Sequence, residues 1–234
     1  MLKKLINCFY NHFKDTPKRL KIVCDWDEVI QSLEPFALYL ALKEEKQIPS
    51  ELEKLSGVEN FSQFFEFFWQ QKLIDYSAYG SKLFINFPAQ AAKKNHPEFY
   101  QQAPFLSLAK ELLRLVKENK AEVIFLSAYD KSIFTDGDPR KKRIFKETFG
   151  KYPNCSLSLI GFKWGEKQKT KGQWVKENVP GCDIMLDDNP NILDNARREN
   201  PNLTVCAPDY PAVKHHDKVL LFKTSISNLK KEDF

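Results

Sequence analysis

Short apolar runs alternate with longer segments of helical periodicity along most of the chain. The runs at residues 20–24, 122–126, 155–160, 183–186 and 203–206 have the length and composition of buried strands. Between them, apolar residues recur at helical spacing. Strands that alternate with helices form βαβ units, whose parallel strands are covered on both faces. The pattern therefore predicts an α/β fold with a mostly parallel sheet.

One long stretch lacks any apolar run of this kind. From residue 31 to 103 the pattern is helical, as at residues 36–42 and in the aromatic block at 61–69. We therefore predict a Rossmann-like core domain formed by residues 1–30 and 104–234, with helices on both faces of its sheet. Residues 31–103 are predicted to form an α-helical insertion over the carboxyl edge of the sheet, the edge at which ligands bind in such folds.

Acidic residues follow two of the predicted strands, and a serine follows another. Asp25 and Asp27 come directly after the first strand, Ser127 after the second, and Asp187 and Asp188 after the fourth. Because the carboxyl ends of parallel strands meet at one edge of the sheet, these side chains are expected to lie together. Charges gathered there are costly unless a cation neutralises them. Carboxylates without His or Cys beside them suit a hard ion such as Mg²⁺.

Two other polar stretches are assigned to the surface. A second Asp-x-Asp pair, Asp136 and Asp138, has no strand before it and lies among Gly and Pro, so it predicts a turn. The basic run at residues 140–143 precedes a helical pattern and is interpreted as a solvated helix face. An anchor for an acidic substrate or a polyanion stays open as the alternative for this run.

The composition favours a globular protein of a reducing compartment, the cytoplasm. Hydrophobic residues make up 42% of the chain and aromatic residues 13%, which argues against disorder. The five cysteines form no C-x-x-C pair and are expected to be reduced thiols. No apolar run is long enough to cross a membrane, and the basic start lacks the uninterrupted apolar region of a signal peptide. The apolar stripe from Leu2 to Phe13 predicts a first helix that docks on the domain, with a peripheral membrane contact as the less favoured alternative.

At its strand ends the sequence resembles the haloacid dehalogenase (HAD) superfamily of phosphohydrolases. Residues 22–29 match the first motif of that family, D-x-D-x-[TV], and residues 123–127 match the second, an apolar strand ending in Ser or Thr. Residues 184–188 match the fourth, an apolar strand ending in paired acids. The order and spacing also fit, and the resemblance covers about residues 20–207.

The third motif of the family is a single lysine that offsets charge on the transferring phosphoryl group. Lys171 opens a predicted helix before the acidic pair and is the best match. Three further lysines stay as candidates: Lys163, Lys167 and Lys169.

The resemblance implies a role for each acid at the strand ends. Asp25 is implied as the nucleophile that forms an aspartyl-phosphate, and Asp27 as the group that protonates the leaving oxygen and then activates water. Mg²⁺ is implied to be held by Asp25, the backbone carbonyl of Asp27 and Asp188, with Asp187 in support. Ser127 is implied to donate a hydrogen bond to a phosphoryl oxygen.

The inserted segment stands where the family carries a cap that closes over the substrate. Most rings of the block at residues 61–69 are expected to form the core of this cap. One or two that face the site could stack on a nucleobase or a phosphotyrosine ring. We expect substrate contacts from Trp26, Ser127, Lys169, Phe65 and Trp69.

The leading hypothesis is therefore a Mg²⁺-dependent phosphomonoester hydrolase, a phosphatase of the HAD type. Its substrate is a nucleotide-like small phosphate ester or a phosphotyrosyl group on a protein, and the sequence does not choose between them. A phosphomutase on the same fold is one alternative. The other is a non-catalytic module that binds nucleic acid or an anionic surface through residues 140–143 and the net charge of +5. No specific nucleic acid is expected, because the chain has no P-loop and no recognisable DNA-binding motif.

Overall fold

A six-stranded parallel sheet forms the centre of the computed structural model, which describes residues 19–43, 60–70, 98–163, 169–210 and 213–234. Neighbouring strands pair in parallel throughout, in the order β3-β2-β1-β4-β5-β6. This order places the first strand of the chain in the middle of the sheet. The strands are β1 Leu20–Cys24, β2 Ala121–Asp130, β3 Cys155–Phe162, β4 Ile184–Leu186, β5 Thr204–Pro208 and β6 Leu220–Phe222.

Helices cover both faces of the sheet, as the sequence predicts. Side chains alternate across β1: Ile22 and Cys24 belong to a core that includes the helix Ser107–Lys117, and Val23 belongs to a second core that includes the helices Lys171–Asn178 and Pro190–Glu199. The α/β fold is confirmed. The described residues form seven α-helices: α1 Glu34–Lys43, α2 Phe61–Gln70, α3 Phe99–Gln102, α4 Ser107–Lys117, α5 Pro139–Glu147, α6 Lys171–Asn178 and α7 Pro190–Glu199.

The sequence prediction misses one strand, β6. It has only three residues, and two of them, Leu220 and Leu221, are 41% and 38% exposed because the strand lies at the edge of the sheet. The predicted turn at Asp136–Asp138 is confirmed: Gly137 has a φ of +82°, and the Asp138 carboxylate caps α5 by accepting a hydrogen bond from Arg140 N–H.

The inserted segment is helical in the part of residues 31–103 that the structure describes, and none of those residues adds a strand to the sheet. Phe61 on α2 packs against Phe36 and Tyr39 on α1, with ring centroids 5.5 and 5.3 Å away. Phe65 packs against Tyr210, which follows the carboxyl end of β5. The two helices therefore lie at the carboxyl edge of the sheet. The division into a core domain and a cap stays a prediction.

The predicted first helix lies in residues 1–18, outside the described residues. No helix in the described ranges has both the length and the apolar character that a membrane span requires. The four described cysteines are free thiols: Cys24, Cys155, Cys182 and Cys206.

Candidate active site

The register between β1 and β4 places Asp25 and Asp187 side by side at the carboxyl edge of the sheet. Cys24, the last residue of β1, pairs with Leu186, the last residue of β4, and with Phe125 of β2. The chain continues from these positions into Asp25 and Asp187, and Asp25 N–H donates to the carbonyl of Leu186 over 2.8 Å. Adjacent parallel strands thus deliver both carboxylates to one edge.

Three carboxylates form a buried cluster at this edge. Asp25, Asp187 and Asp188 each place an oxygen within 4.8 Å of the others, and all three side chains are buried. Burial, followed by the neighbouring aspartates, raises the pKa of Asp188 well above its ordinary value. Burial likewise raises the pKa of Asp25 to about 6, although Lys171 opposes this shift. Negative charge is therefore undercompensated here, and a set of carboxylates without His or Cys fits a divalent cation such as Mg²⁺.

A lysine enters this cluster from α6. Lys171 Nζ lies 2.7 Å from Asp25 Oδ2 and 2.7 Å from Asp187 Oδ2. Burial alone would lower the pKa of Lys171, but Asp187 and Asp25 raise it above its ordinary value. The helix starts here because Thr170 and Gln173 form a reciprocal capping box. Lys171, the first helical residue, is held in place by that cap.

The other third-motif candidates that the structure describes are Lys163 and Lys169, and both lie at the surface. Lys169 is exposed and pairs with Glu177, and its contact with the substrate stays a prediction. Lys163 is exposed, and Lys167 lies outside the described residues.

A second buried lysine, which the sequence analysis assigns to a solvated helix face, lies beside Asp27 and Ser127. Lys141 Nζ is 2.7 Å from Asp27 Oδ1 and 2.6 Å from Ser127 Oγ. The assignment is wrong at this position because Lys141 and Ile144 are the buried positions of α5, three residues apart on one face of the helix. The three-residue spacing between Lys141 and the apolar Ile144 is the feature of the sequence that indicates a buried position for Lys141.

An aromatic ring covers the ammonium group of Lys141. Lys141 Nζ lies 5.3 Å from the centroid of the Tyr100 ring, and the Arg140 guanidinium lies 5.6 Å from the same ring. Arg140 is bound to the Asp138 carboxylate over 2.8 Å. Tyr100 belongs to α3, so the segment that returns from the insertion contributes one wall beside Asp27.

Two rings that were expected to contact the substrate lie in the core. The Trp26 indole is fully buried, meets the Phe125 ring edge-on at 5.0 Å and donates its Nε1–H to Gln31 Oε1 over 2.7 Å. Phe65 is buried between its own helix and Tyr210. Both rings are buried, and their contact with the substrate stays a prediction. Trp69 lies on α2, and its side chain is outside the described residues.

The turn after Asp27 is fixed by the groups around Glu28. Glu28 has a φ of +57°, and its Oε1 accepts hydrogen bonds from the backbone N–H groups of Leu33 and Glu34 at 2.8 and 2.6 Å. The Tyr210 hydroxyl donates to the carbonyl of Glu28 over 2.7 Å. Gln31 donates to the carbonyls of Tyr100 and Ala103, both at 2.8 Å. The segment leaving the sheet is thereby tied to the segment returning to it.

The fold is similar to that of a solved structure described as a HAD hydrolase. A protein assigned as a HAD hydrolase, YfnB from Bacillus subtilis bound to magnesium, is 11% identical, with 92% of this chain and 97% of that chain covered and a TM-score of 0.50. A HAD-superfamily hydrolase from Ehrlichia chaffeensis is 14% identical, with 88% and 93% covered and a TM-score of 0.45. A predicted phosphatase from Clostridium acetobutylicum is 14% identical, with 87% and 93% covered and a TM-score of 0.44. No protein-family model and no curated protein matches the sequence. At these identities the likeness concerns the fold alone.

Proposed function

The chain has the fold of the HAD superfamily, and on this premise we propose that it is a Mg²⁺-dependent phosphomonoester hydrolase whose nucleophile is Asp25. The observation that supports this most strongly is the cluster of Asp25, Asp187 and Asp188 at the carboxyl edge of the sheet, in which Lys171 pairs with Asp25 and Asp187. Asp27 stands two residues after the nucleophile, half-buried, with its side chain 30% exposed. A carboxylate in that position has access to both the substrate and water.

A divalent cation would be held by Asp25, the backbone carbonyl of Asp27 and Asp188. Asp187 would support it from behind, because one of its oxygens accepts from Lys171 and the other from the backbone N–H of Asn189. When bound, Mg²⁺ supplies positive charge that lets a phosphate dianion approach a carboxylate nucleophile.

The reaction proceeds in two displacements. In the first, a carboxylate oxygen of Asp25 forms a bond to phosphorus, the bond to the ester oxygen breaks, and Asp27 gives its proton to that oxygen. In the second, water attacks the phosphorus of the aspartyl-phosphate and Asp27 takes a proton from that water. The bond between phosphorus and the Asp25 oxygen breaks, which releases inorganic phosphate and restores the Asp25 carboxylate. Lys171 offsets the charge on the transferring group in both steps.

The proposed substrate is a nucleotide-like small phosphate ester or a phosphotyrosyl group on a protein. Trp26 and Phe65 are both buried, so stacking from these two residues gives no reason to prefer one ester class. A cytoplasmic location stays a prediction, with which the free thiols are consistent.

The alternative of a module that binds anionic surfaces depended on an unneutralised basic run at residues 140–143. Every member of the basic run at residues 140–143 has an acidic partner within the molecule. The pairs are Arg140–Asp138, Lys141–Asp27, Lys142–Asp136 and Arg143–Glu98. The run is therefore not an unneutralised basic patch, and no second function is proposed.

The proposed function is tested by phosphate release with Mg²⁺ from an aryl phosphate, nucleoside monophosphates and phosphotyrosyl peptides. Asp25→Asn should abolish release while the protein stays folded, since the substitution removes one charge from a buried acidic cluster. Asp136→Asn is the matched control, because it changes the other Asp-x-Asp pair at an almost fully exposed side chain. Undiminished turnover in Asp25→Asn would exclude the proposed nucleophile.

A further inference from the structure

We propose that Lys141 binds the phosphoryl group of the substrate, as a second cation that acts beside Asp27 and Ser127 and selects phosphate in its dianionic form. The inference rests on the proposed function and extends it to a residue outside the four motifs described above. Three observations lead to it: the burial of Lys141, the identity of its two partners, and the separation of its partners from those of Lys171.

Lys141 occupies a position that lysine rarely takes. Its side chain is only 1% exposed, and buried lysines need a partner that repays the loss of water. The side chain approaches from α5, a helix fixed at its start by the Asp138 cap and by Pro139 in its first turn. A cation placed by a rigid element needs no reordering when a ligand arrives.

The partners of Lys141 are two groups that meet the phosphate ester in the proposed function, Asp27 at the leaving oxygen and Ser127 at a phosphoryl oxygen. Its ammonium group donates to Asp27 Oδ1 and to Ser127 Oγ. An ammonium group has three N–H donors. Within the described ranges these are its two hydrogen bonds, so one donor remains for an oxygen of a ligand that meets Ser127 and Asp27.

The two buried lysines divide the site between them. Lys171 contacts Asp25 and Asp187, whereas Lys141 contacts Asp27 and Ser127, and no partner is shared. When Asp27 holds the proton that it later gives to the leaving oxygen, a divalent cation and Lys171 together balance the three ionised aspartates, Asp25, Asp187 and Asp188, and Lys141 adds one positive charge. That additional positive charge attracts a phosphate dianion more strongly than a monoanion, and it is lost when Lys141 is replaced by a neutral residue.

The test compares Lys141→Met, Lys141→Gln and Lys141→Arg with Lys142→Met. Lys142 is the adjacent residue of α5, about half exposed, and it pairs only with the exposed Asp136 among the described residues. The probe is inorganic phosphate, measured as a competitive inhibitor of aryl phosphate turnover and by calorimetry on the non-reacting Asp25→Asn background. Thermal unfolding is recorded for every variant.

Loss of one charge-assisted hydrogen bond should weaken phosphate binding about 10- to 100-fold in Lys141→Met and Lys141→Gln. Lys141→Arg should recover part of that loss, and Lys142→Met should stay within about twofold of wild type. Aryl phosphate turnover should show a raised KM in the two neutral variants. Calorimetry at pH 5 and pH 8 should show a larger loss at pH 8, where the second ionisation of a phosphate group, with a pKa of about 6, is complete.

Phosphate binding that is unchanged in Lys141→Gln, with a lowered melting temperature, would make Lys141 a structural counter-ion of Asp27 and overturn the inference. The Gln variant keeps a hydrogen-bond donor and decides the matter if Lys141→Met does not fold. The experiments distinguish a failure of the proposed function from a failure of the role given to Lys141. Turnover that persists in Asp25→Asn contradicts the proposed function, whereas an inactive Asp25→Asn beside an unaffected Lys141→Gln contradicts only the role of Lys141.

Discussion

Lys171 Nζ lies 2.7 Å from Asp25 Oδ2, which joins the first residue of α6 to the first residue after β1. The same nitrogen lies 2.7 Å from Asp187 Oδ2, after β4. One ammonium group therefore compensates two buried carboxylates from different strands. Removing one partner of a buried ion pair leaves the other charge uncompensated, and this is far more costly than the loss of a surface pair.

Lys171→Met should lower kcat/KM by about 10²-fold or more, because a donor aimed at the transferring phosphoryl group is lost. It should also raise the pKa of Asp25 above about 6, since Lys171 is the group that opposes the effect of burial there. The acid limb of the pH dependence of kcat/KM should move to higher pH. Lys169→Met is the control, as Lys169 is exposed and pairs with Glu177. Equal acid limbs in the two variants would speak against this electrostatic coupling.

The stability of the metal-free protein should fall as pH rises from about 4 to about 6. Burial raises the pKa of Asp25 from 3.8 to about 6, so in this window the folded state holds a proton that the unfolded chain has released. The contribution of Asp25 to the free energy of unfolding is therefore present below the lower pKa and lost above the upper one.

Magnesium should reverse this trend, because it binds the ionised carboxylate. Its affinity should increase with pH over the same window, and excess Mg²⁺ should stabilise the protein more at pH 7 than at pH 5. Urea unfolding with and without Mg²⁺ at both pH values measures the difference. In Asp25→Asn the dependence should be reduced. An equal gain from Mg²⁺ at both pH values in the wild type would contradict the assignment.

Trp26→Phe should destabilise the protein without changing KM. The indole donates to Gln31 Oε1 in a fully buried setting, and an unsatisfied buried acceptor costs about 1–3 kcal/mol. Chemical unfolding and steady-state kinetics on one preparation give both values. A KM raised tenfold with an unchanged free energy of unfolding would show that the ring does contact the substrate.

Gly172→Ala should reduce both stability and activity. A Cβ at Gly172 would lie 2.6 Å from the Cα of Ala196 and 2.9 Å from its backbone nitrogen, so α6 would have to move away from α7. Overpacking of this kind costs about 1–3 kcal/mol, and the shift would displace the adjacent Lys171 from its two carboxylates.

Gly181→Ala separates backbone strain from this packing effect. No atom lies within 4 Å of the added Cβ at Gly181, but the residue has a φ of +73°. The variant should lose about 1–2 kcal/mol of stability and keep its activity. Gly172→Ala with wild-type turnover would indicate that the position of α6 does not govern the site.

The residues at the strand ends were predictable because a parallel sheet fixes where its strands finish. Once the apolar runs before Asp25 and Asp187 are recognised as neighbouring strands, their ends must share an edge. Ser127 lies two residues beyond Phe125, the β2 partner of Cys24, although β2 itself continues to Asp130, which the sequence did not indicate. The rule that strand ends share an edge does not locate Lys171, because the reach of that side chain into the cluster depends on how α6 packs on the sheet. Only the family resemblance indicated Lys171.

The wrong assignment of Lys141 to a solvated face also has a physical cause. Lys141 stands in a run of four basic residues, and charge alone cannot show which of them faces inward; the phase of α5 relative to Ile144 decides it. Trp26 continues the alternation of Ile22 and Cys24, so its indole enters the same core as theirs.

The most direct measurement of the central claim is acid trapping of the phosphorylated protein. An Asp27→Asn variant lacks the group that activates water, so it should transfer phosphate from an activated aryl ester and then hydrolyse the product slowly. Mass spectrometry of acid-quenched digests should find one phosphoryl group on Asp25, dependent on Mg²⁺. Phosphate release that proceeds with no phosphoryl group on Asp25, or with the group on another residue, would contradict the account.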